Sequence, residues 1–136
     1  MNTFVLTLCD SRRTERFDTV TRFAGADAGG AFGVLPHHAE LVAVLRYGLA
    51  RFADDQGRWR YLALPGGVLH FCRNAMTIVT ARYFLGDERD RIADQLAAEM
   101  AREDSELHAS RATLDEIERT LLRRLGELGA QTGMPA

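Results

Sequence analysis

At 136 residues, 46% of them hydrophobic and 26% charged, the chain has apolar material for one ordinary domain or a small domain with a helical appendage, and is too short for two large ones. That balance excludes disorder along most of its length. A formal net charge of −2, with every one of the 17 basic residues an arginine, excludes the broad positive field that draws a protein to nucleic acid phosphates.

Up to Gly86 the signals are those of strands and turns. Thr3 to Leu8 (TFVLTL) is rich in β-branched and aromatic residues and nearly alternates. Phe17 to Phe23 (FDTVTRF) places Phe17, Thr19, Thr21 and Phe23 on one face and Asp18, Val20 and Arg22 on the other. The glycine-rich Ala24 to Ala31 reads as a flexible stretch. Leu41 to Leu45 is apolar on both faces, the pattern of a buried strand. The piece from Gly48 to Phe52, the polar turn Asp54-Asp55-Gln56-Gly57 and the alternation of Trp59, Tyr61 and Ala63 read as a hairpin. Pro65-Gly66-Gly67 interrupts, Val68 to Cys72 resumes, Arg73-Asn74 turns the chain, and Met76 to Ala81 is a further strand. Short strands at this spacing, without a helical period between them, predict an antiparallel sandwich or barrel.

After Gly86 the period becomes helical. Asp87 reads as an N-cap, and Ile92, Leu96 and Met100 recur every fourth residue. The pattern weakens across Asp104 to Ser110 and resumes with Leu114, Ile117, Leu121, Leu125 and Leu128, behind a capping box from Thr113 to Glu116. Gly126 and Gly129 would fray the end. The expected fold class is therefore α+β: an N-terminal antiparallel β-sandwich over 1–86 followed by a C-terminal two-helix antiparallel hairpin over 87–136.

Chemistry is weakly signalled. His37 and His38 are adjacent, which in an extended segment sends their rings to opposite sides, away from any shared metal. His70 and His108 lie elsewhere, and no HExxH, GxSxG or phosphate-binding glycine loop occurs. We expect no catalytic residue, nucleotide site, metal or cofactor. Trp59 and Tyr61 suit a sheet face better than a base-stacking platform, since no basic groove accompanies them. Cys9 and Cys72, far apart and outside any CxxC, read as reduced thiols. The start MNTFVLTLCDSRR lacks the pattern of a secretion signal, and no apolar run approaches the roughly 18 residues of a membrane span, so a cytoplasmic protein is expected. Arg111, Arg119, Arg123 and Arg124 leave the apolar stripe of the last helix free and offer positive charge to an acidic surface, or simply to solvent.

The order of these elements, with three motifs, resembles the epsilon subunit of F-type ATP synthases. Gly30 to His38 (GAFGVLPHH) is similar to the family's G-E-[FL]-G-[IV]-[LY]-P-G-H loop, Tyr47 to Phe52 (YGLARF) to its P-G-x-x-[RK]-[IF] strand, and Tyr61 to Phe71 (YLALPGGVLHF) to its segment around S-G-G. Ala31, His37, Tyr47 and Pro65 stand where the family has Glu, Gly, Pro and Ser, departures that suit a divergent branch such as the alternate sodium-translocating type. The family's ATP motif D-x-x-R-A-x-x-A-x-x-R, started at Asp90, meets Ala93 and Met100 where arginines belong. The resemblance implies a non-catalytic rotor subunit, peripheral to the cytoplasmic face of a bacterial inner membrane. Phe32, Gly33, Val34, Leu35, Pro36, His37 and His38 would meet the gamma subunit and the c-ring, and the hairpin arginines would meet the alpha/beta catalytic head to inhibit ATP hydrolysis. Two rival readings are a stand-alone module that self-associates through Leu114 to Leu128, and a small histidine-dependent hydrolase or metal protein.

Overall fold

A computed structural model describes residues 2–131. Strand β1 (Phe4–Cys9) buries Phe4, Leu6 and Leu8, as its alternation predicts. Strand β2 (Thr14–Asp27) is longer than the sequence suggested, and its first half pairs β1. A register slip between Val20 and Arg22 breaks the clean alternation, so that Val20 and Phe23 both reach the core. Such a bulge bends a strand, and β2 pairs β1 up to Val20 and β5 from Val20 onward. Its far half pairs β3 (Gly30–Val34), so Ala24 to Ala31 is not a flexible stretch but the two arms and turn of a β-hairpin.

Strand β4 (Leu41–Leu45) precedes β5 (Gly48–Asp54), which forms the expected hairpin with β6 (Trp59–Leu64). The turn between them is held by the Asp54 carboxylate, which accepts from the backbone N–H groups of Gln56 and Arg58. Strands β7 (Gly67–Cys72) and β8 (Ala75–Val79) join through Arg73 and Asn74, both with positive φ, the backbone that a two-residue primed turn requires. Gly67 could carry no side chain, since a Cβ there would lie 2.6 Å from the Val79 carbonyl. Strand β9 (Phe84–Gly86) completes an order β4-β7-β8-β1-β2-β5-β6-β9, with β3 on β2. All pairs are antiparallel except β1 with β8, a parallel pair that the antiparallel expectation missed. The layers share one core, with Phe23, Phe71, Leu62, Leu69, Met76 and Ile78 at most 1% exposed.

The helical part differs most from expectation. One helix, α1 (Arg89–Gln131), replaces the hairpin. No glycine or proline interrupts Asp104 to Ser110, and its Glu, Leu, His, Ala and Ser residues all tolerate a helix interior. Arg102 pairs with Glu99 and, at 2.6 Å, with Glu106, bridging the turns that enter the weak stretch. Thr113 is no cap: its hydroxyl donates to the Ala109 carbonyl one turn back, as a mid-helix threonine does. Gly126 and Gly129 lie inside the helix rather than ending it. Asp87 stays outside α1 and pairs with Arg58 at 2.8 Å. Side chains beyond Glu127, Leu128 among them, lie outside the described set.

The chain divides into two compact units, Met1–Ala98 and Glu99–Ala136. Ile92 and Leu96 are buried, so the first two turns of α1 belong with the sandwich. Each contributes about 1.5–3 kcal/mol to that unit on the usual scale for a buried aliphatic side chain.

Candidate partner-docking surface

The loop that carries most of the proposed binding residues is a tight turn. Leu35 accepts the His38 N–H at 3.2 Å, Pro36 occupies the second position, and His37 the third with φ of 65°. Proline followed by positive φ is the signature of a type II turn, in which the third residue is ordinarily glycine or asparagine. The family's glycine at this position therefore has a backbone reason, and His37 occupies a conformation that costs a non-glycine residue roughly 1 kcal/mol. Asn74 offsets this by accepting the His37 N–H at 2.8 Å, while its amide donates to the Thr3 carbonyl. One side chain thus ties together the loop, the β7–β8 turn and the start of β1.

The seven loop residues do not share one surface. Val34 is 1% exposed and sits in the core opposite Phe23, so it offers no area to a partner. Phe32 packs half-buried against the same core. Gly33 lies in β3 without positive φ, and a Cβ there would meet only the Phe23 carbonyl at an ordinary 3.6 Å, so the turn's shape comes from Pro36 and His37 instead. Leu35, His37 and His38 are exposed and Pro36 is half-buried. His38 Nδ1 lies 2.7 Å from the Ala39 carbonyl, and its ring stands edge-on to Phe71.

The larger apolar surface is on the sheet beside this loop. In β4 only Ala43 and Leu45 are buried, with Leu41 half-buried, while Val42 and Val44 are 64% and 68% exposed. The strand read as buried on both faces is the end strand of the path, with one apolar face uncovered. Val44 pairs Val68 and Val68 pairs Val79, which makes a row of three exposed valines across β4, β7 and β8. In the parallel row beside it Val42 pairs His70 and His70 pairs Thr77. Exposed β-branched residues in register over three strands form a continuous patch of the kind that marks an interaction site. Sequence reasoning missed it because a strand apolar on both faces looks the same whether the second face meets its own core or another protein.

Glu40, His70 and Cys72 stand at the loop end of the same face. Their donor atoms lie within 4.8 Å of one another, and His70 Nε2 is 3.2 Å from Glu40 Oε1. The signal available in the sequence was His70-Phe71-Cys72, two potential ligands on one side of a strand.

Elsewhere, Tyr83 is 3% exposed, donates its phenol to Glu15 at 2.6 Å and lies beneath the Arg13 guanidinium at 4.4 Å. Burial, then the bond to the Glu15 carboxylate, push its pKa well above the ordinary tyrosine value. A groove of about 660 Å³ runs past Ala24, Ala31, Ala50 and Gly33, edged by Arg51 and Tyr61.

On α1, Arg111, Arg119, Arg123 and Arg124 are all exposed but do not share a face. At 3.6 residues per turn Arg119 and Arg123 are neighbours on the side away from the apolar stripe, while Arg111 and Arg124 flank it. The stripe itself, Leu107, Leu114, Ile117, Leu121 and Leu125, is between 51% and 65% exposed. No helix among the described residues is long and apolar enough to cross a membrane.

Residues 3–86 match the family model of the ATP synthase delta/epsilon chain beta-sandwich domain. Among similar proteins, ATP synthase epsilon chain 2 of Cereibacter sphaeroides is 34% identical over 95 residues, which are 62% of this chain and 65% of that one. The ATP synthase epsilon chain of Symbiobacterium thermophilum is 31% identical over 121 residues, 82% of this chain and 86% of that one. A chain in the structure of the Euglena gracilis mitochondrial ATP synthase superposes with a TM-score of 0.61 at 23% identity, covering 76% of this chain and 66% of that chain, a likeness of fold alone.

Proposed function

The chain belongs to the ATP synthase delta/epsilon family, and from that membership and the uncovered valine face we propose that it is a non-catalytic central-stalk subunit of an ion-translocating ATP synthase. The observation that carries the reading is the in-register row Val44, Val68 and Val79, with Val42 beside it. A protein working alone would lose little by making these outer positions polar, whereas one that docks permanently needs apolar area there. The sandwich clamps the gamma subunit to the c-ring through this face and the exposed Leu35–His38 turn, on the cytoplasmic face of the bacterial inner membrane. A rigid sandwich transmits torque because its strands are locked by hydrogen-bonded ladders on both sides of the core.

The region from Glu99 onward is the regulatory element. Arg119 and Arg123 supply the charge for acidic segments of the alpha/beta catalytic head, and the exposed leucine stripe supplies apolar area, so that hydrolysis is blocked when the helix is engaged there. The exposed stripe also supports a second reading, in which Leu114 to Leu125 is a seam between two copies of this chain. Titrating the purified chain into a complex of gamma and c-ring, with sedimentation of the chain alone in parallel, separates the two. Submicromolar binding by a chain that stays monomeric supports the stalk subunit. Concentration-dependent dimers without affinity for gamma and the ring favour the second reading.

A further inference from the structure

We propose that Glu40, His70 and Cys72 form a three-ligand zinc site on the outer face of the sandwich, independent of the identity of any partner. The backbone fixes the arrangement. His70 and Cys72 are two residues apart in β7 and therefore project from one face, while the intervening Phe71 is buried to 0% exposure and prevents the strand from turning them away. Leu41 pairs Phe71 across the ladder, which sets Glu40, one residue earlier, beside this pair.

Zinc ligands at bond lengths of about 2.0–2.3 Å in a tetrahedron stand roughly 3.3–3.8 Å apart. The three donor atoms lie within 4.8 Å of one another, and one pair is already at 3.2 Å. Glu40 and His70 are both exposed, so their side chains have the rotamer freedom to close the remainder. The donor set selects the ion. One thiolate, one imidazole and one carboxylate do not suit calcium or magnesium, which take oxygen shells, and match the mixed sulfur, nitrogen and oxygen sites of zinc. Three protein ligands leave a fourth position for water or for a donor from a docked chain.

A bound ion would tie the N-terminal end of β4 to β7, and so fix the end strand that carries Val42 and Val44. Cys9, the second thiol, pairs Val79 in the parallel β1–β8 ladder and serves as a control.

The test uses the full chain, reduced and without a histidine tag, dialysed against zinc chloride, and titrated separately with cobalt(II) to read thiolate-to-cobalt charge transfer. One equivalent of zinc, a thiolate band with cobalt and a higher melting temperature in zinc are expected. Cys72→Ser should abolish the band, and Cys9→Ser should leave it intact. His70→Gln and Glu40→Gln should each weaken zinc by roughly tenfold or more, since losing even an outer partner of a zinc ligand costs about 10–100-fold. All three positions lie on the outer face, and circular dichroism of each variant verifies the fold. Zinc binding that survives Cys72→Ser unchanged, a band lost equally in Cys9→Ser, or no stoichiometric uptake by the wild-type chain would overturn the site.

Discussion

Replacing Val44 with aspartate probes the docking face without touching the core. Val44 is 68% exposed but sits mid-strand opposite Val68, so its substitution in the isolated chain should change stability by about 1 kcal/mol, the span of strand propensity between valine and aspartate. On docking, about two thirds of a valine leaves water. Complete burial of such a side chain is worth about 1.5–3 kcal/mol, so the lost contribution is about 1–2 kcal/mol. An aspartate sealed beneath a partner without a hydrogen-bond donor adds a desolvation cost of about 1–3 kcal/mol or more. Together the change should weaken affinity for the gamma and c-ring complex by at least about 2 kcal/mol, roughly 30-fold in Kd. Calorimetric or interferometric titration measures that affinity, and urea unfolding of the free chain verifies that the variant remains folded. An affinity within threefold of wild type, with the fold intact, would refute the assignment of this face.

Three further outcomes follow from other parts of the molecule. A chain ending at Ala98 keeps Ile92 and Leu96, so it should fold and dock while ATP hydrolysis by the assembled enzyme rises; unchanged hydrolysis would remove the regulatory role of the helix and leave the clamp. His37→Gly relieves a left-handed conformation worth roughly 1 kcal/mol and adds a similar unfolded-state entropy, so the unfolding free energy should stay within about 0.5 kcal/mol; a larger loss in urea unfolding would mean that the imidazole itself holds the turn. Tyr83 keeps its proton in the folded chain to higher pH than in the unfolded chain. Its contribution to stability is therefore complete below about pH 10 and declines as pH rises beyond, because the unfolded state ionises first. Tyr83→Phe should flatten that alkaline decline, and unfolding curves that steepen equally in both proteins would contradict the role given to the phenol.

Much of the sandwich was legible because local chemistry and tertiary demand agree. In β1 the alternation of Phe4, Leu6 and Leu8 faces one core, and Asp54 to Gly57 and Arg73-Asn74 are turns by their own side-chain and backbone preferences. Where they diverge, the reading failed. Glycine and alanine in Ala24 to Ala31 hid a hairpin held by pairing rather than by side chains. In α1 a weakened apolar stripe suggested a break, yet amphipathicity reports what a helix packs against, whereas its continuity depends on residues that tolerate helix geometry.

The candidate site was partly legible. The loop was found through its Gly-x-x-Pro pattern, but which of its residues face outward depends on the β2–β3 register that buries Val34, and no local signal carries that register. The valine row and the Glu40, His70 and Cys72 cluster both require knowing that β4 pairs β7. His37 is a different case: a histidine stands where the family has glycine, and Asn74 in the β7–β8 turn maintains the same left-handed backbone there.

The stalk assignment is tested most directly by recovering the tagged chain from gently solubilised membranes of its own organism and identifying its companions by mass. Co-recovery of gamma, the c-ring and the catalytic head in constant proportion is the expected result, and it should be lost with Val44→Asp. Recovery of the chain alone, with those subunits intact elsewhere in the same extract, would contradict the account.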